Sequence, residues 1–396
     1  MTTPGVVGAP CFWHLSGLMS TNPKARAWVQ VRADALRDNY VRIRDQVAPG
    51  TGVLPMVKAN AYGLGVEKVV RTLEPLEPWG FGVAAVSEGI RLRELGVEGR
   101  IIVCSPAPRG DVDQAVRHGL QLSISSVDAL LHLAESAQAA GVIAEYHIDI
   151  DTGMGRSGFD WRSASEWLPL AVGGSERARC VGCYTHLHSA DDHDRTVREQ
   201  WVRFSELVER IVAERGEGAP ELAVHVLNSA GIFRAPEVAR SVVRPGIFLY
   251  GGEIGPGQPS PEPVASVHAR IALVRSVPPG TTLGYGSTYT SSKDERWATL
   301  SIGYGDGLPR ALSNRGCAIL HGTAVPIIGR ISMDVTVVDI TDVEAAREGD
   351  VATLIGSDGG TARTVDEVAA EAGTISYEVL TGLTDRLPRV WTDERV

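Results

Sequence analysis

From about residue 36 to residue 250 the chain repeats one unit: a short apolar run, a turn, and a stretch with helical spacing. The apolar runs fall at residues 54–57, 81–84, 101–103, 120–124, 146–150, 181–185, 223–227 and 242–243. Each is too short for a buried helix and too evenly apolar for a strand with one wet face, so each reads as a parallel strand covered on both sides. Between them lie helical patterns at 87–95, 127–140 and 195–215, preceded by a first amphipathic helix marked by Leu36, Tyr40, Ile43 and Val47. About eight strands with intervening helices predict a closed (β/α)₈ barrel, while an open doubly wound sheet remains the alternative because periodicity alone does not close a ring.

The pattern changes after a Gly- and Pro-rich stretch at 251–263. Strand-like segments follow at 267–277, 297–302, 318–320, 325–328 and 335–340, with one helix at 364–372 opened by Thr364 and Glu367 in capping-box spacing. The fold class expected is therefore α/β plus β: an N-terminal (β/α)₈ TIM-like barrel over 27–255 and a C-terminal mainly β domain over 256–396, with 1–26 a loose extension. A first strand near 28–31 is free to join the β domain.

At 396 residues the chain is too long for one small core. Its net charge of −10 argues against nucleic acid or an acidic membrane as partner, although local arginines still allow a small anion. No apolar run approaches bilayer length, and residues 1–26, with Met19 as an alternative start, lack the pattern of a signal peptide. The five cysteines, Cys11, Cys104, Cys180, Cys183 and Cys317, have no framework spacing, which suggests reduced thiols in the cytoplasm. Cys180 and Cys183 resemble half a zinc site, but no second pair follows and residues three apart in a strand face opposite ways, so core packing is expected.

Candidate chemistry sits where the strands end. Lys58 follows the run 54–57 and precedes a turn punctuated by Gly63 and Gly65; a partly desolvated lysine there forms imines readily, and a rim lysine paired with a carboxylate is the plainer reading. The segment from Asp149 to Phe159 carries Arg156 in a glycine-rich turn, where a guanidinium forks onto a carboxylate or phenolate, or makes a surface salt bridge. His186 and His188 share a face if the strand continues that far, and with His193 they could gather a divalent metal; the other reading is a single functional His186 at the barrel mouth. Ser229, Gly246 and Ile247 lie after the seventh and eighth strands, the usual phosphate site of such barrels, and Arg244 can reach a ring nitrogen or an anion. In the second domain Tyr285, Tyr304 and Tyr377 sit near turns, alongside Arg330, Met333 and Asp334.

Together, the Lys58 motif, Arg244-Pro-Gly-Ile, Gly-Tyr304-Gly and Ser-Met333-Asp resemble the alanine racemase family of fold-type III pyridoxal-phosphate (PLP) enzymes, in the family's order and from about Trp28 to Trp391. The resemblance implies that Lys58 holds PLP covalently. It implies that Tyr62, Ser229, Gly246, Ile247 and Tyr377 bind the phosphate, that Arg244 faces the pyridine nitrogen, and that Arg156 meets the phenolic oxygen and the substrate carboxylate. Tyr285, Met333 and Asp334 would reach a partner subunit's site, making a homodimer with composite sites. Asp191, Tyr304, Arg310, Arg330, Ile375 and Tyr377 match positions at the family's narrow entrance. No metal is implied.

The implied reaction is racemisation of alanine by two bases, Lys58 and Tyr285, on opposite sides of the bound substrate. A His186–Arg244 pair behind the phenol would favour its phenolate, and a guanidinium will not protonate the ring nitrogen as a carboxylic acid would. A racemase for another amino acid such as serine, a non-catalytic PLP-binding protein, and a metal hydrolase are the alternatives. Two departures stand out. Asp149 occupies a place where many relatives carry a carbamylated lysine, so a carboxylate is expected to orient Arg156 without that modification. His188 replaces a small residue.

Overall fold

The computed structural model describes residues 24–173, 175–216 and 218–393. Most of the expected N-terminal extension, with Met19 and Cys11, lies outside the described residues.

Strand β1 (Ala27–Arg32) is followed by β2 (Gly52–Val53), β3 (Phe81–Val83), β4 (Ile101–Pro106), β5 (Gln121–Ile124), β6 (Ala144–Asp151), the two-residue β7 (Phe159–Asp160), β8 (Ala178–Tyr184), β9 (Ala223–Asn228) and β10 (Val242–Arg244). Eight of these form one parallel sheet in the order β2-β10-β9-β8-β6-β5-β4-β3, with β7 paired to β6. The two ends of that path meet. Met56 bridges Gly82 in parallel, Val57 N–H donates to the Gly82 carbonyl at 2.8 Å, and Gly82 N–H to the Pro55 carbonyl at 2.9 Å. These bonds close the ring and decide against the open sheet.

The helices come where the apolar spacing puts them: Ala33–Gln46, Val86–Glu94, Val127–Ala140 and Asp194–Arg215. Ser126 caps the third, its side chain accepting from Ala129 N–H at 3.2 Å. Inside the barrel, the sides differ in chemistry. Leu54, Ile102 and Val242 form an apolar plug against Trp79 and Cys104. The side built from β5, β6 and β9 instead buries Gln121, His147, Asp149 and His225.

The C-terminal domain is mainly β. Its strands are β11 (Ala265–Val277), β12 (Thr282–Leu283), β13 (Tyr289–Thr290), β14 (Glu295–Leu300), β15 (Cys317–Leu320), β16 (Thr323–Ile328), β17 (Thr336–Asp339), β18 (Val351–Asp358), β19 (Thr361–Arg363) and β20 (Arg389–Thr392). A second sheet runs β19-β18-β15-β16-β17-β14-β11-β1-β20, so β1 at the start of the chain pairs antiparallel with β11 and parallel with β20. The helix Val365–Ala372 has Thr364 as its cap, with the Thr364 hydroxyl and the Glu367 carboxylate bonded to each other's backbone N–H. A second helix, Ser376–Thr381, was not visible in the apolar pattern because it is only six residues long. It presents Tyr377 toward the barrel.

Candidate active site

Lys58 does not directly follow a regular strand, as the apolar run suggests. The regular strand ends at Val53, but pairing runs on irregularly past Pro55, which has no N–H to give: Leu54 N–H donates to the Val243 carbonyl and Met56 N–H to the Pro245 carbonyl, each at 2.9 Å, and Met56 bridges Gly82. Ala59, Asn60, Ala61 and Tyr62 then take φ of 52°, 54°, 54° and 53°, a left-handed turn made without glycine. That winding costs on the order of 1 kcal/mol or more per residue and needs outside support. Glu88 accepts from Ala59 N–H at 2.6 Å, the Asn60 side chain accepts from Val66 N–H at 2.9 Å, and the Arg389 guanidinium donates to the Gly63 carbonyl at 2.6 Å and 3.0 Å. Gly63, at φ 81°, touches the second domain so closely that a Cβ there would stand 2.3 Å from the Leu380 carbonyl oxygen.

The turn aims Lys58 into the barrel mouth, where its amine has no hydrogen bond among the described residues. Burial lowers its pKa; Arg156 and Arg244 lower it further, against an opposing pull from Cys104 and Glu88. The Cys104 thiol, held up at about 11 mainly by burial, is a neutral neighbour that sequence reading missed. Nothing in the local pattern of β4 distinguishes it from core.

Arg244 ends β10 fully inside the barrel. Its Nη1 donates to His225 Nδ1 at 3.1 Å and to the His225 carbonyl at 2.8 Å; its Nη2 donates to the Thr185 carbonyl at 2.8 Å and to His186 Nδ1 at 3.4 Å. Because a guanidinium only donates, His186 accepts at Nδ1 and carries its proton on Nε2. Burial and the charges of Arg244, Arg156 and Lys58 push His186 down to about 3, so the ring is neutral. The strand β8 stops at Tyr184, which places His186 and His188 in a loop rather than on one strand face. His188 turns outward to Ser189 at 2.7 Å and His193 lies against Asp192 at 2.9 Å. The three histidines of the metal alternative thus part ways, and no described group of three His, Cys, Asp or Glu has metal-holding geometry.

The expected orientation of Arg156 by Asp149 needs correction. Asp149 Oδ2 accepts from Ser125 Oγ at 3.1 Å and from Ser157 Oγ at 2.8 Å, and Arg156 makes no ion pair or hydrogen bond among the described residues. Two short hydroxyls reach the buried carboxylate first, and Arg156 acts on it only through its charge. Burial raises the Asp149 pKa, with the serines, Arg244 and Arg156 opposing.

Around Gly246 the ends of the seventh and eighth barrel strands meet the Tyr62 ring. Ser229 Oγ accepts from Gly246 N–H at 2.8 Å and from Phe248 N–H at 3.4 Å, and Ile247 opens the following helical turn. A Cβ on Gly246 would stand 2.2 Å from the Tyr62 hydroxyl, so only glycine fits. Tyr62 stacks on Tyr250 at 4.5 Å and meets Tyr377 at 6.1 Å between ring centres. Neither the Tyr62 nor the Tyr377 hydroxyl bonds a described residue. Burial raises both, Tyr377 to about 12 with help from Asp191 and Asp366, so both stay protonated donors. Neutral phenols, a serine and backbone N–H groups gathered at the strand ends suit a phosphate.

The remaining predicted residues are elsewhere. Tyr285 is 69% exposed, in the short loop between β12 and β13, and its hydroxyl bonds no described residue. Its loop rests on Arg330, whose Nη1 would be 2.9 Å from a Cβ on Gly286. Tyr304, Met333 and Asp334 lie on adjoining loops joined by Tyr304 N–H to Ser332 O at 3.0 Å and Gly305 N–H to Met333 O at 2.9 Å. Asp334 is held by Arg386 at 2.6 Å. Arg310 and Ile375 are exposed, and Asp191 lies near Tyr377.

The chain matches two family models, described as alanine racemase, N-terminal domain, over residues 31–254 and alanine racemase, C-terminal domain, over 264–391. It is 34% identical over 361 residues to the alanine racemase of Syntrophobacter fumaroxidans, covering 90% of this chain and 94% of that one. It is 35% identical over 373 residues to the alanine racemase of Nostoc sp., covering 92% and 95%. Among solved structures, alanine racemase from D-cycloserine-producing Streptomyces lavendulae superposes with a TM-score of 0.87 at 30% identity, over 94% and 98% of the two chains. Alanine racemase from Bartonella henselae with covalently bound pyridoxal phosphate superposes with a TM-score of 0.83 at 30% identity, over 93% and 100%.

Proposed function

The chain belongs to the alanine racemase family, and from that premise we propose that it interconverts L- and D-alanine with PLP on Lys58, using Lys58 and Tyr285 of a second subunit as the two bases. The observation that carries this reading is the barrel mouth: a lysine with a lowered pKa, a buried guanidinium, and Gly246 and Ser229 beside phenol hydroxyls that have no partner among the described residues, all at one end of the ring. PLP bound there supplies an electron-withdrawing ring that acidifies the Cα–H of an attached amino acid.

The protein's part is positional. Ser229, Gly246, Ile247, Tyr62 and Tyr377 hold the phosphate as neutral donors. With PLP bound, Arg244 would face the ring nitrogen and keep its own proton, which would leave charge nearer Cα and favour return of a proton there. Arg156, with no hydrogen bond or ion pair among the described residues, binds the substrate carboxylate bidentately. Lys58 takes or gives the Cα proton on one face and the partner's Tyr285 does so on the other. His186 stays neutral and offers Nε2–H to the phenolic oxygen, which lowers the cost of the phenolate.

We propose a two-fold homodimer because Tyr285, Tyr304, Met333 and Ile375 leave an apolar patch on the second domain, exposed by 69%, 41%, 52% and 61%. Met333 and Asp334 would line the partner's substrate site, with Asp191, Tyr304, Arg310, Arg330, Ile375 and Tyr377 at its entrance. The division into an extension at 1–26, a PLP barrel at 27–255 and a β domain at 256–396 belongs to the same reading, with β1 contributing to the second sheet. No described helix is long and apolar enough to cross a membrane. The cytoplasm is the compartment we propose, since Cys104, Cys180, Cys183 and Cys317 are all free thiols.

A coupled assay for D-alanine on the PLP-loaded enzyme tests the reaction, with a panel of other L-amino acids to fix the side-chain preference. Tyr285→Phe should keep PLP and lose abstraction from L-alanine by about 10³-fold. Unchanged turnover in both directions would remove Tyr285 from its role.

A further inference from the structure

The barrel interior holds a run of hydrogen bonds that the reaction above does not use. Arg244 Nη1 meets His225 Nδ1 at 3.1 Å, His225 Nε2 meets His147 Nδ1 at 2.9 Å, and His147 Nε2 meets Gln121 Oε1 at 3.0 Å. Gln121 Nε2 then donates to Glu145 Oε2 at 2.7 Å, and Arg179 holds the other oxygen of Glu145 at 2.5 Å. Arg244 ends its strand at the mouth, whereas Gln121 and Glu145 begin theirs at the floor. The run therefore crosses the barrel from end to end.

Its two ends fix every proton between them. A guanidinium only donates and a carboxylate only accepts, so His225 accepts at Nδ1 and donates from Nε2, and His147 does the same. Both rings are neutral in one tautomer: burial and Arg244 hold His147 at about 3 and His225 well below its ordinary value. An amide does not pass protons on, so Gln121 makes this a line of aligned dipoles rather than a proton wire. No carboxylate forms an ion pair with Arg244 among the described residues; the line connects its buried charge to Glu145 instead. Aligned neutral donors strengthen one another in a low-dielectric interior.

Space for the line is built in. A Cβ on Gly182 would stand 2.1 Å from His147 Nδ1, and the backbone there has no need of glycine's conformational freedom. At the floor, Gln121 and Glu145 line a water-accessible pocket together with Trp79, Arg100 and Glu221.

We propose that Gln121, Glu145 and His147 are positioning residues for Arg244, holding its guanidinium in one orientation and balancing its charge from the barrel floor through His225. The proposal rests on Arg244 facing the ring nitrogen of PLP, but its hydrogen-bond pattern exists without the cofactor, so the two can fail separately.

The test combines ¹⁵N NMR of the histidine rings, with and without PLP, and racemisation kinetics of the loaded enzyme. In the unaltered protein, with or without PLP, both His147 and His225 should appear as neutral Nε2–H tautomers. Gln121→Leu and Gly182→Ala should lose that signature at His147, and kcat should fall about tenfold while KM for alanine changes less than about twofold. Glu145→Gln, which keeps shape at the solvent-facing end, should give a smaller fall in kcat and serves if either core variant fails to fold. Glu221→Gln removes a charge from the same floor pocket outside the line and should match the unaltered enzyme. An Nδ1–H tautomer on either ring would overturn the proposal. So would unaltered kcat in Gln121→Leu or Glu145→Gln, or an equal fall in Glu221→Gln. Absence of PLP binding together with the expected tautomers would instead count against the cofactor reading alone.

Discussion

Arg244 at the barrel mouth and Tyr285 on the second domain are assigned to one reaction, yet the chain holds them in opposite ways. Arg244 is 4% exposed and its Nη1 and Nη2 donors are spent on Thr185, His186, His225 and Val226, leaving Nε–H without an acceptor among the described residues. Tyr285 is 69% exposed, and its hydroxyl has no described partner. The barrel completes its share of the site within one chain. The β domain carries its share on short loops at the surface, where a second copy would supply the remaining contacts in the proposed dimer. A site divided in that way would keep cofactor binding as a property of the fold and make turnover a property of assembly.

The largest effect that sharpens this contrast should come from Lys58→Ala. Borohydride treatment should no longer fix PLP to the chain, and racemisation should fall by at least about 10³-fold, whatever the oligomeric state. Next is Met333→Asp, which puts a charge in the exposed patch. Analytical ultracentrifugation should then show monomers, with PLP still bound to Lys58 and turnover down by about 10²-fold. A fully active monomer would break the contrast. On the barrel side, Gly246→Ala places a methyl against the Tyr62 hydroxyl and should weaken PLP affinity about tenfold or more without altering the dimer, read by titration of the apo enzyme.

The smallest expected effect concerns pH. His147 and His225 stay unprotonated in the folded barrel but bind protons near pH 6.5 once unfolded. Their folded pKa values are depressed, so below about pH 6.5 the unfolded chain binds more protons and stability falls as pH falls toward the folded value. His147 should cost about 2 kcal/mol by pH 5, and His225 adds in the same direction. Denaturation at pH 7 and pH 5 measures the slope; a His147→Gln variant should flatten it, while substitutions on the β-domain patch should leave it alone.

Much of the barrel was legible because parallel strands buried on both faces must be apolar, and the chain spells them at regular intervals. The candidates Lys58, Arg156, Ser229 and Arg244 could be singled out because each lies beyond an apolar run and within three residues of a glycine or proline. The line from Gln121 to Arg244 was missed although a signal existed. Along β6 the polar residues Glu145, His147 and Asp149 alternate with Tyr146, Ile148 and Ile150, which turns a polar face inward in a barrel expected to be packed with branched residues. His225 gives no such sign, being one polar residue in an apolar strand. Asp149 misled for a different reason: charge suggested Arg156 as its partner, whereas Ser125 and Ser157 are nearer, and sequence spacing says nothing about side-chain reach. The strands β1, β18 and β20 pair across long separations, which local patterning does not encode.

The left-handed winding of Ala59 to Tyr62 has a consequence for how such a protein acquires its cofactor. Its props come from both ends of the chain's architecture: Glu88 from a barrel helix, and Arg389 from β20, the last strand. A nascent chain must therefore present β20 before the turn can settle, and the amine proposed to capture PLP takes its aim only as β20 docks beside the turn. Loading would thereby be coupled to that docking, and a variant lacking Arg389 should hold its lysine less firmly in place.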